Sequence, residues 1–88
     1  MKIKQNYVLR NIADEYIVVP IGDEADRLHG VITLSESGAF LWEKLATEQT
    51  AETLTDALTA EYKVDWETAL KDVQSFLDSI GQMGCLEE

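Results

Sequence analysis

The sequence predicts a mixed α+β fold, a three-stranded antiparallel meander followed by three helices, on two observations. Up to Leu34 the chain is made of short runs of Tyr, Val, Ile and Leu broken by turn residues. After Ser35 the spacing of apolar residues changes from two to about 3.6. At 88 residues and 45% hydrophobic content, residues 1–88 read as one domain, able to bury roughly 60 to 65% of its unfolded surface in a single core.

Taken in order, Tyr7 to Ile12 and Glu15 to Ile21 flank Ala13-Asp14 and read as a hairpin, with Pro20 ending the part of the second strand that can pair. Gly22 to Gly30 is a polar, glycine-bounded loop that returns the chain for a third strand, Val31 to Leu34. Lys2, Lys4 and Arg10 guard the first edge of this meander, whereas Val31-Ile32-Thr33-Leu34 contains none of the Lys, Glu or Pro that blunt an exposed edge. Such a strand, if it lies at the edge, accepts another peptide.

The first helix is expected from about Glu36 to Thr47, with Gly38, Leu41, Trp42 and Leu45 on one face. Thr50 is a suitable N-cap for a second helix carrying Ala51, Leu54, Ala57, Leu58 and Tyr62 in register, and Asp65 for a third carrying Leu70, Val73, Phe76, Leu77 and Ile80. Gly81 and Gly84 are stop signals, after which Cys85-Leu86 can tuck back onto the core. On a helical wheel Trp66, Leu70, Val73, Leu77 and Ile80 share one direction, Ala69 and Phe76 form a flank, and Lys71 lies far from the stripe. That arc is wide enough to close a core and still offer its flank to a groove.

Composition excludes several functions. Seventeen acidic against seven basic residues give a net charge of -10, which opposes a phosphate backbone, so no nucleic acid is expected as partner. No apolar run approaches the roughly 18 residues of a membrane span, and none of signal-peptide length follows the N-terminus. No membrane is therefore expected, and the single cysteine makes the cytoplasm the default location. One His and one Cys leave little from which to build a nucleophilic site. His29 beside a glycine reads as a turn residue, and Cys85 as a buried structural thiol. The acidic loop from Asp23 fails as an EF-hand, because Ala25, Arg27 and Leu34 occupy the third, fifth and twelfth positions where oxygen ligands are needed. No metal site is expected.

In order along nearly the whole chain, Gly30-Val31-Ile32-Thr33-Leu34 running into Ser35-Glu36-Ser37-Gly38-Ala39-Phe40-Leu41-Trp42, then Tyr62-Lys63-Val64-Asp65, then Asp72-Val73 with Phe76-Leu77, resembles the PqqD family. The resemblance implies a small winged helix-turn-helix serving as the peptide recognition element of pathways that modify ribosomally made peptides. It implies a non-catalytic peptide chaperone without cofactor, whose partners are a precursor leader peptide and a modifying enzyme, commonly of the radical S-adenosylmethionine type. The leader would add as a strand beside Val31, Ile32, Thr33 and Leu34, with Ala69, Val73 and Phe76 as groove wall and Trp66 as a further contact. The family often has Asn where Ser35 stands, and both cap helices. Two other readings compete: a winged-helix DNA regulator, disfavoured by charge, and a module that forms a homodimer through its open edge.

Overall fold

A computed structural model describes residues 1–22 and 31–87, so the expected turn role of His29 and the acidic loop lie outside the described residues. Strand β1 (Lys2–Ile3) is followed by β2 (Tyr7–Ile12), β3 (Glu15–Pro20) and β4 (Ile32–Leu34). Helices α1 (Glu36–Lys44), α2 (Ala51–Tyr62) and α3 (Trp66–Gln82) come next, and β5 (Leu86–Glu87) closes the order. Strands β2, β3 and β4 form the antiparallel sheet in that order, as the sequence predicts.

The hairpin joining β2 and β3 turns on two residues, Ala13 at φ 50° and Asp14 at φ 66°. Positive φ at both positions gives the backbone twist that a two-residue loop needs, here without the usual glycine. The loop fixes the register, with Ile12 opposite Glu15 and Arg10 opposite Ile17. Tyr7, Leu9, Tyr16, Val18, Ile32 and Leu34 consequently share the face turned to the helices, where Val18 is fully buried. The opposite face carries Val8, Ile17, Val19 and Thr33, with Ile12 exposed near the hairpin.

Each helix begins where a side chain can take an orphan amide. Ser35 Oγ accepts from Gly38 N–H at 3.1 Å, Thr50 and Thr53 form a reciprocal capping box, and Asp65 accepts from Thr68 N–H at 3.2 Å. The first helix ends at Lys44, three residues before the expected Thr47, because Leu45 departs from helical geometry while its amide still bonds back to Leu41 and Trp42. Gly81 remains inside α3. The stop is at Gly84, whose φ of 76° lets its own amide reach the Gly81 carbonyl and the Cys85 amide reach that of Ile80.

The core forms between sheet and helices from Val18, Leu41, Leu45, Leu54, Val73 and Ile80, all at most 2% exposed. Fully burying an aliphatic side chain of this kind contributes about 1.5–3 kcal/mol. Trp42 is core, its ring meeting Tyr7 edge-on with centroids 5.9 Å apart. Buried Thr55 satisfies its hydroxyl on the Ala51 carbonyl at 2.6 Å. One arrangement departs from the sequence reading: Lys2 and Ile3 pair with Glu87 and Leu86 in a separate two-stranded sheet. Lys2 and Lys4 therefore do not guard the first edge of the meander, and the amide of Lys4 instead donates to the Cys85 carbonyl at 2.9 Å.

Candidate functional site

Strand β4 is paired on one side only. Its register sets Tyr16 opposite Leu34, Ile17 opposite Thr33 and Val18 opposite Ile32, and no described strand lies beyond it. Antiparallel pairs alternate between those that exchange hydrogen bonds and those that do not. The Ile21 amide donates to the Asn6 carbonyl at 3.0 Å, so in the shared register the Arg10–Ile17 pair also exchanges bonds and Ile17 directs its backbone toward β2. Thr33, opposite Ile17, then points its own N–H and C=O away from the sheet, into the open. The edge is uncharged, and its most outward backbone groups belong to the residue at its centre.

Beside this edge lies a cleft of about 490 Å³. Ile32, Thr33 and Leu34 line it from the strand, Ser35, Ser37, Gly38 and Leu41 from α1 and its N-cap, and Asp72, Ser75, Phe76, Ser79, Ile80 and Met83 from α3 and its end. The last group repeats at three and four residues, so it forms one ridge of the helix. Gly38 lies at the floor: a Cβ there would make ordinary contact with the Phe76 ring at 3.5 Å and Leu34 Cβ at 3.6 Å, and would crowd only the capping Ser35 Oγ, at 3.2 Å. Phe76 is half-buried, with its ring edge beside Gly38 of α1.

The structure brings Ile32, Thr33, Leu34 and Phe76 together at the cleft and separates the other expected residues from it. Ala69 and Val73 are fully buried in the core, so the expected groove wall is one helical step further round, at Asp72, Ser75, Phe76 and Ser79. Val31 precedes the paired segment and is 58% exposed. Trp66 stands away from the cleft at the start of α3, where its indole N–H donates to Asp56 Oδ1 at 3.2 Å. Sequence reasoning missed Ser75, Ser79 and Met83, although the period that singles out Phe76 also passes through Ser79 and Met83.

Past the Leu34 end a second depression shares Thr33, Leu34 and Ser35 with the cleft and adds Asp14, Glu15 and Glu36. A third holds Tyr16, Glu36, Glu43, Glu61 and Tyr62. Burial first, then the carboxylates of Glu36 and Glu61, raises the Tyr62 hydroxyl above its ordinary pKa. Lys44 lies over the Phe40 ring at 5.2 Å, and that ring meets Tyr62 edge-on.

The family model for coenzyme PQQ synthesis protein D (PqqD) matches residues 8–86. The chain belongs to the PqqD family. The matched span includes the PqqD-family sheet from the second residue of β2 onward, all three helices and both walls of the cleft. Among solved structures the chain is similar to "TbiB1 in Complex with the TbiA(beta) Leader Peptide", at 29% identity and a TM-score of 0.78 over 99% of this chain and 95% of that one. It also shares the fold of "Lasso peptide synthetase B1 complexed with the leader peptide", at 15% identity and a TM-score of 0.76 over 99% and 96%. No curated protein matches the chain significantly. No helix among the described residues is long and apolar enough to cross a membrane.

Proposed function

We propose that this PqqD-family chain is a peptide chaperone that binds the leader of a ribosomal precursor peptide by adding it as a strand to β4, and presents it to a modifying enzyme. The observation that carries the reading is the open, uncharged edge of β4 alongside a cleft with an apolar floor. Strand addition takes affinity from main-chain hydrogen bonds and specificity from pockets for alternate side chains, and the edge and cleft supply one of each. Both similar structures named above hold leader peptides, which supports the same class of ligand here.

The binding residues in this reading are Ile32, Thr33, Leu34 and Phe76, with Val31 extending the edge. The chain itself performs no catalysis and holds no cofactor; the modifying enzyme, of the radical S-adenosylmethionine type, supplies the chemistry in the cytoplasm. A DNA-regulator role is disfavoured by the exposed carboxylates of Glu52, Asp56, Glu61, Glu67, Asp72 and Asp78 on α2 and α3.

Thr33→Pro tests the reading, because proline removes the central outward N–H without touching the core. Calorimetric titration with a synthetic leader, taken from a short precursor encoded beside this chain's gene, should show at least a tenfold loss of affinity in a protein that still melts cooperatively. Undiminished binding by the folded variant would rule out pairing along β4.

A further inference from the structure

We propose that the strand received by the cleft carries, on the face it turns to α3, a pair of apolar residues two apart and a lysine or arginine two residues further along, and that Asp72 selects that cation. The inference rests on strand addition at β4 and goes on to name the chemistry of what is added. In a paired strand, residues in line with Ile32 and Leu34 turn their side chains the same way, toward Phe76 and Ile80. That spacing gives the apolar pair. One helical turn before Phe76, the same ridge presents Asp72, an exposed carboxylate that lines the cleft together with Ser75 and Ser79.

Among the described residues lining the cleft there is no Lys, Arg or His, and none forms an ion pair with Asp72. The depression that continues past Leu34 repeats the pattern, with Asp14, Glu15 and Glu36 and no described cation. A strand that runs along β4 and past Leu34 therefore meets carboxylates in both depressions. An acidic residue there would meet repulsion from each of them, and a basic one attraction. Charge of this kind selects partners and speeds their encounter more than it raises affinity.

The probe is a displayed library of random dodecapeptides, selected separately against the full wild-type chain and against Asp72→Lys. Wild-type winners should be enriched in Lys or Arg two residues from an apolar pair that is itself two apart, and Asp72→Lys winners in Asp or Glu at that position. Individual wild-type winners should bind Asp72→Asn about two- to fivefold more weakly, the effect of one exposed ion pair, and should weaken as salt is raised. Winners without basic enrichment, and indifferent to Asp72→Asn, would overturn the role of Asp72. Strand addition is scored separately, by methylating alternate backbone nitrogens of the winning peptides. If methylation at every register leaves binding intact, or if no peptide is enriched, strand addition itself fails. Loss on methylation without any charge preference leaves strand addition standing and removes only the claim about charge.

Discussion

At the scale of single residues, the cleft depends on side chains that serve two masters. Phe76 places its ring beside Gly38 and lines the cleft with Leu34, yet keeps enough exposure to meet a ligand. Truncating a desolvated aromatic anchor removes roughly 2 kcal/mol or more at an interface. Phe76→Ala should therefore weaken leader binding by more than it lowers stability, while Lys71→Ala, on the exposed face next door, should change neither. Titration paired with thermal melts decides the matter: early melting with normal binding would assign Phe76 to the core. The sequence alone could find Phe76, because helical periodicity sorts residues by angle. It could not separate Phe76 from Ala69 and Val73, since a wheel gives direction and not depth. Trp66 shows the same gap: being large, apolar and on the stripe did not reveal that its indole would find Asp56 on α2.

At the scale of elements, local grammar was legible wherever a cap or turn residue states it. Ser35, Thr50 and Asp65 each begin the helix expected of them. The Asp65 carboxyl is held below its ordinary pKa by the hydroxyl of Thr68 and then by its amide. A lowered folded value means that its stabilising effect is complete above the ordinary carboxyl pKa of about 4 and is lost as pH falls through the folded value. Asp65→Asn keeps a capping oxygen but does not titrate, so its acid denaturation curve should lack that contribution at low pH and otherwise resemble wild type. The hairpin turn was legible at Ala13-Asp14 but not its cost: Asp14 tolerates left-handed geometry, whereas Ala13 is poorly suited to it. Ala13→Asn with Asp14→Gly should stabilise the protein by about 0.5–1 kcal/mol, read from the denaturation midpoint. An unchanged midpoint would mean that the turn is not strained.

For the whole molecule, charge and peptide binding respond to salt in opposite directions. A net charge of -10 on 88 residues repels itself, so added salt should raise the melting temperature while weakening peptide binding at the cleft. Both measured together in one salt series would test this, and affinity rising with salt would contradict it. The sheet order and the three helices were legible as a whole, because each strand and helix announces itself locally. The pairing of β1 with β5 was not, since two-residue strands leave no periodicity to read. That pairing has a kinetic consequence. Joining Lys2 to Glu87 closes a loop spanning almost the whole chain, and so short a ladder repays little of the closure entropy until the core already holds both ends in place. It should form last and open first, ahead of global unfolding. The opening would release the stretch holding Cys85, whose thiol is fully buried and is the chain's single cysteine. Its alkylation rate is thus a built-in clock for fraying at this seam, and should depend on denaturant much less steeply than unfolding of the core.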